Sequence, residues 1–291
     1  VLWIIVAVGV ELTLLGASVR QSLRLTDNDV AAMRGEALIL SAVEIAVARL
    51  IATDERERWT AGDAIRQVRL ESAVASIRVT DEGGKININF ADDRLLAGLF
   101  TIATGSAAEG RKLAERVLDW RDRDDDRREF GAERRDYRRA GAAPGAANAP
   151  FLDVSDLGRV LGVSSDVGMR IQPYVTIFTR DGKINPMLAS ETVLRALPGV
   201  DHDTVKRIVE LRRSGLAVPT EVEALLRPAE AYLSGLRGPA FRLDVRLDAA
   251  TPFALGNATI VVAPALDQGA PYRVLAWRFL PSTVPVVPGD R

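Results

Sequence analysis

The chain of 291 residues contains no cysteine, which excludes disulfides, thiolate metal sites and a cysteine nucleophile, and fits either the cytosol or the periplasm. Its one histidine, His202, sits between Asp201 and Asp203 beside a glycine-bearing turn, the pattern of a surface helix start. No histidine metal cluster, Ser/His/Asp set or phosphate loop is present, so no enzymatic activity is expected. An excess of charge is missing too. The 38 basic and 39 acidic residues leave a net charge of −1, so no long-range field draws the molecule to nucleic acid or anionic lipid. Proline is absent before Pro144, and nothing of that kind interrupts a helix in the first part of the chain.

What is present begins with VLWIIVAVGVELTLLGASV, where only Glu11 breaks an apolar stretch of 19 residues. A helix needs about 20 apolar residues to cross a bilayer. Residues 1–19 therefore read as the remaining part of a transmembrane helix in a protein expected to begin earlier than Val1. The absence of a small-residue cleavage pattern argues against a signal peptide. An acid at mid-bilayer costs roughly 2.5–3.5 kcal/mol, so Glu11 is expected to face a partner or lie near an interface. The helical pattern then continues. Val19, Leu23, Val30, Met33, Ala37, Leu40, Val43, Val47 and Leu50 recur at helical spacing and predict an apolar stripe laid on a soluble domain. One helix reaching about Thr53 would be roughly 75–80 Å long.

After DERERW the period changes. Alternation around Arg66–Leu70 and Ala75–Thr80, then a Gly-Gly turn and a third short strand, is matched downstream by AFRLDVRLDA, NATIVVAPA and YRVLAWRF. These two blocks predict one sheet packed on the long helix. Between them, from about Phe90 to Gly238, the sequence reads as short helices separated by glycine-rich breaks, with Asp92 and Asp153 as N-caps. GKININFADDRLLAGL and GKINPMLASETVLRAL echo each other, each a turn or strand handing over to a helix. VLGVSSDVGMRIQPY and ALPGVDHDTVKRIVELR share the shape of a helix-hairpin-helix. The fold class is α+β: a long N-terminal helix on an antiparallel sheet with an inserted all-helical domain of helix-hairpin-helix-like (SAM-like) units. The divisions are residues 1–19, 20–89, 90–238, 239–280 and a tail of 281–291 carrying three prolines.

The densest chemistry lies between Asp119 and Arg139, where six Asp and two Glu stand beside eight Arg. Counted from Asp122, carboxylates occupy places 1, 3, 5 and 12 as Asp122, Asp124, Asp126 and Glu133. This is the spacing of a calcium loop of the EF-hand type, in which alternate side chains converge on one ion. Place 6 carries Arg127 where such a loop turns on glycine, so true EF-hand geometry is not expected. Arginine-compensated solvated loop and calcium site both stay open. The helix-hairpin-helix segments raise a second function, DNA binding through backbone amides. Asp166, Asp201 and Asp203 at the hairpins oppose phosphate, while Lys206, Arg207, Arg212 and Arg213 follow in the helix. A membrane-anchored DNA-binding or DNA-uptake protein is thus the alternative reading, with structural use of the hairpins preferred.

Taken in order, VLWII, DEGGKININ, LDWRDRDDDRREFGAERRDY, APFLDVSDLGRVLGV, PYVTIF, KINP, LRALPGV and YRVLAWRF resemble the K-type minor pseudopilins of the type II secretion system, the general secretion pathway protein K family. That resemblance implies a pilin-like α/β domain with a large helical insertion, a single-pass anchor in the bacterial inner membrane, and a soluble part in the periplasm. It also implies a place at the tip of a short pseudopilus beside I-, J- and H-type subunits, a leader removed by the prepilin peptidase, no nucleic acid partner, and calcium bound by the helical domain. The family's W-R-D-x-D and G-A-E fall on Trp120, Arg121, Asp122, Asp124, Gly131, Ala132 and Glu133, and favour calcium there. Asp126 has no counterpart in that pattern.

Overall fold

The computed structural model describes residues 29–62, 64–142, 145–235, 238–248, 256–265 and 270–280. The apolar run of residues 1–19, Glu11 and the tail at 281–291 lie outside the described residues. Among the described residues no helix is long and apolar enough to cross a membrane. The chain divides into two compact units, Val1–Thr80 with Arg242–Arg291, and Asp81–Phe241.

The first unit combines helix α1, residues 29–50, with a five-stranded sheet. Its strands are β1 (Ile65–Arg69), β2 (Val74–Asp81), β5 (Phe241–Asp248), β6 (Asn257–Pro264) and β7 (Tyr272–Leu280), paired in the order β1-β2-β5-β6-β7. β1 meets β2 and β6 meets β7 antiparallel. The Ser76 hydroxyl bonds to Asp248 while Glu82 N–H reaches Ala240, so β2 and β5 also run in opposite directions. Along β5, buried Phe241, Leu243, Val245 and Leu247 alternate with Arg242, Asp244, Arg246 and Asp248, the period of a sheet with one covered face.

Helix α1 buries Ile39, Ala42, Val43, Ala46 and Val47, and its Glu44 accepts a hydrogen bond of 2.7 Å from the Tyr272 hydroxyl on β7. This corrects the predicted stripe. Val43 and Val47 are inside, but Val30, Met33, Ala37 and Leu40 are exposed, Met33 at 70%. The buried face is built on small residues, Gly35, Ala42 and Ala46, which allow close approach of a backbone. A second face carries Val30, Met33, Ala37 and Leu40 in the open.

The second unit is helical, with α2 (Asp93–Thr104), α3 (Ala107–Arg121), α4 (Arg134–Arg139), α5 (Ser165–Ile171), α6 (Glu191–Ala196), α7 (His202–Arg213) and α8 (Pro219–Leu225). The third predicted strand does not join the large sheet. As β3 (Ile86–Asn87) it pairs in parallel with β4 (Val175–Thr176) inside this unit, because two residues suffice to satisfy the backbone where Asn87 also binds Thr179. The repeated G-K-I-N takes one shape twice. Ile86 and Ile184 are both fully buried and both make parallel bridges, and Asn87 and Asn185 each accept the backbone N–H two residues on.

Caps set the helix starts: Asp92, as the sequence predicts, accepts from Leu95 N–H, and the structure adds Ser190, which accepts from Val193 N–H, and Asp201, which accepts from Thr204 N–H. Asp153 caps a 3₁₀ turn, Val154–Arg159, so the first hairpin opens with a tighter helix than the second. Both hairpins turn on a glycine of positive φ, Gly162 at 86° and Gly199 at 76°. Helix α2 lies in the middle, packed on α3, α5 and α6, with Leu95, Leu96, Leu99 and Phe100 almost wholly buried.

Where α2 meets α6, a Cβ on Gly98 would lie 2.3 Å from the Ala196 carbonyl oxygen. Gly98→Ala should therefore cost about 1–3 kcal/mol by forcing two backbones apart, against the gain in helix propensity that alanine brings elsewhere. Thermal melting reads this directly, and an unchanged or raised midpoint contradicts the packing.

Candidate functional site

The last turn of α3 fixes the acidic loop from below. Trp120, 2% exposed, stacks on Phe151 with ring centroids 6.1 Å apart and leans on Tyr137 of α4 at 5.7 Å. Tyr137 is 1% exposed, its hydroxyl accepts Leu161 N–H at 3.0 Å, and burial pushes its phenol up to about 12. Arg121 donates to the carbonyls of Ile88 and Ala91, and burial draws its guanidinium down to about 10. Both ends of the loop are thereby tied to the core before any of its carboxylates is considered.

One buried acid organises the loop. Asp119 is 0% exposed and is held by the Arg128 side chain at 2.5 Å and the Arg128 N–H at 3.3 Å. Burial raises its carboxyl above the usual range, opposed by Arg128. Gly131 passes directly over it: a Cβ there would fall 1.8 Å from an Asp119 oxygen, which explains the glycine of G-A-E by close approach. The same Arg128 Nη1 lies 2.5 Å from Asp122 Oδ2. Glu115 accepts Phe130 N–H at 2.6 Å and Arg111 at 3.2 Å, fixing the far limb.

The predicted ligands fall as follows. Asp122 is the C-cap of α3, with Oδ2 on Arg128 and Oδ1 buried without a donor. Glu133, the N-cap of α4, is 5% exposed, and neither of its oxygens has a donor. Asp136 accepts Glu133 N–H at 3.1 Å and gives its own N–H to the Glu133 backbone carbonyl at 2.7 Å, a reciprocal pairing at the start of α4. Burial, followed by the charges of Asp119, Asp122, Asp125 and Asp124, pushes the Glu133 carboxyl up to about 7. Asp124 is exposed and its side chain accepts Asp126 N–H. Asp126 is also exposed, and the acids that act most on Glu133 are Asp119, Asp122, Asp125 and Asp124.

Asn148 is a residue that sequence reasoning missed. It has a positive φ of 49° and gives its N–H to the Trp120 carbonyl at 2.9 Å. Its amide donates to Asp124 O at 2.8 Å and Asp125 Oδ1 at 3.0 Å, leaving Oδ1 buried without a donor. Nothing local in the Gly/Ala/Pro stretch signals this, since the contacts span more than twenty residues. Asp122 Oδ1, both Glu133 oxygens and Asn148 Oδ1 are thus buried acceptors lacking a donor. An all-oxygen set suits a hard divalent cation. Among the described residues no three acidic side chains already converge as a metal cage. The local reason is that Arg128 holds Asp122 while Asp124 is turned onto the loop backbone.

Comparison with known proteins finds likenesses to part of the sequence and to the fold. Residues 79–180 match the family described as type II secretion system (T2SS), protein K. A type II secretion system protein K of Pseudomonas aeruginosa is 32% identical over 146 residues, spanning 47% of this chain and 44% of the relative, so the match reaches less than half the relative's length. In structure the chain is similar to one in the crystal structure of the GspK-GspI-GspJ complex from the enterotoxigenic Escherichia coli type 2 secretion system. The TM-score is 0.61 at 18% identity, covering 90% of this chain and 99% of that one. That likeness concerns the fold, a mixed helix and antiparallel-sheet architecture.

The raised Glu133 pKa has a direct consequence for the metal-free protein. A folded-state value of about 7, above the usual carboxyl value of 4.5, favours folding below pH 4.5, and that advantage is lost as pH rises through 7. In chelator the protein should lose stability steadily between those limits. Glu133→Gln should flatten that part of the pH–stability curve and melt higher than the parent at pH 7.5 in chelator. Equal curves for the two proteins contradict the burial described.

Proposed function

We propose, from the premise that residues 79–180 belong to the type II secretion system protein K family, that the chain is a minor pseudopilin acting without enzymatic chemistry at the tip of the pseudopilus. The observation that carries this reading is that the family match falls on the helical unit, Asp81–Phe241, which interrupts a sheet between β2 and β5. In this reading α1 is the described part of a long pilin-like helix that continues from the transmembrane run. Its soluble part lies in the periplasm above the inner membrane, after prepilin peptidase has removed a leader from the precursor. The I-, J- and H-type pseudopilins are its partners in the pseudopilus. The second apolar face of α1, with Val30, Met33 and Leu40 exposed, supports packing among their helices.

The helical unit acts by bulk, leaving no place for a further subunit to stack, and its helix-hairpin-helix-like turns serve as packing elements. The DNA-binding alternative is disfavoured by Asp201, which caps α7 at the hairpin and holds negative charge where a phosphate would approach. Calcium is the ligand we assign to the acidic loop, with Asp122, Asp124, Asp126 and Glu133 as the spacing suggests. The donor-free oxygens add Asn148 and give most weight to Asp122 and Glu133. A bound divalent ion would supply the positive charge that lets Glu133 ionise while buried. The chain's own part is to hold those oxygens in place through Asp119, Gly131 and Trp120.

Co-purification of the full chain with I- and J-type pseudopilins tests the assignment. Met33→Glu with Leu40→Glu should reduce recovery at least about fivefold while leaving the fold intact, since both side chains are exposed; full recovery by the variant sinks the helix-packing reading. For the metal, chelator should lower the melting temperature and calcium restore it, by mass action worth about 2.7 kcal/mol at a hundredfold excess over Kd. The response should vanish in Asp122→Ala with Glu133→Ala, and melting indifferent to chelation refutes calcium.

A further inference from the structure

One cation of the loop is placed where an ion's charge is needed. Asp119, Asp122, Asp124, Asp125 and Glu133 are close enough for the other four to raise the Glu133 pKa, yet among the described residues two arginines form ion pairs with these acids. Arg134 is 3.8 Å from Asp125, while Arg128 spans Asp119 and Asp122 with a single nitrogen, 2.5 Å from each. The Arg128 side chain is 38% exposed and has a route to solvent, whereas the Asp119 it touches is wholly buried. Asp119 keeps a second donor, the Arg128 backbone N–H. Release of the guanidinium therefore leaves Asp119 with a partner and frees Asp122 Oδ2, so that it joins Oδ1, which already lacks a donor.

We propose that Arg128 is an internal counter-ion of this loop, exchanged for the divalent cation: the guanidinium holds Asp119 and Asp122 in the metal-free protein and leaves Asp122 when the ion binds. The inference rests on the calcium reading above. Two positive charges cannot share Asp122 at contact distance without strong repulsion, because Coulomb energy falls only as the inverse of distance in a poorly hydrated pocket. The ion's apparent affinity is then its intrinsic affinity reduced by the cost of releasing Arg128. The exchange keeps the loop folded with or without the metal and makes the site respond to calcium concentration.

Titration calorimetry with calcium chloride on the full chain tests this. Arg128→Gln retains a side-chain donor for Asp119 but removes the charge, and should bind calcium about five- to tenfold more tightly. It should also melt lower in chelator, so the calcium-induced rise in melting temperature grows. Calcium binding that is unchanged or weaker in Arg128→Gln overturns the exchange while leaving the calcium site standing. No calcium heat from the parent chain overturns both. Should the variant not fold, guanidinium NMR of the parent decides. A slowly exchanging Arg128 signal in chelator should be lost on adding calcium, and its persistence at saturating calcium overturns the proposal.

Discussion

A carboxylate with no exposure at the end of α3 constrains the whole acidic loop. Asp119 must be compensated where water cannot reach it, and the compensation comes from further along the chain, through both the side chain and the backbone of Arg128. Holding Arg128 there folds the segment back, and the return path clears Asp119 only because residue 131 has no Cβ. The aromatic set of Trp120, Tyr137 and Phe151 supplies the apolar floor on which this closure rests. Polar order above and hydrophobic order below are thus parts of one arrangement, and Glu133 is buried as a result of it.

The sequence was most readable where the determining contact is local. The cap at Asp92 involves a partner three residues away. Strand alternation on β5 and the shared turn of the two G-K-I-N segments likewise depend on neighbours. The face of α1 was misread because apolar residues occur on both sides of that helix. Choosing between them depends on which side is covered, which brings in Ile39, Ala42, Val43, Ala46 and Val47 and leaves Met33 and Leu40 out. β3 was assigned to the wrong sheet because a two-residue strand carries no period with which to name its partner.

The site was legible in part. Spacing brought Asp122 and Glu133 forward, and both prove to carry buried oxygens without donors. Asp125 and Asn148 did not emerge, since one falls off the alternating register and the other is brought in from a separate loop. Gly131 was visible only as part of a motif; the physical reason for it lies in the 1.8 Å that a side chain would leave to Asp119.

The way the helical unit leaves the sheet has an architectural consequence. Asp81 binds the N–H groups of both Gly83 and Gly238, at 2.8 and 3.0 Å, and Glu82 N–H reaches Ala240, so outgoing and returning chain run side by side. Because β2 and β5 are sheet neighbours, some 160 residues amount topologically to one greatly enlarged hairpin connection. Such a doorway lets a lineage enlarge, trim or exchange the guest without re-registering a single strand of the host.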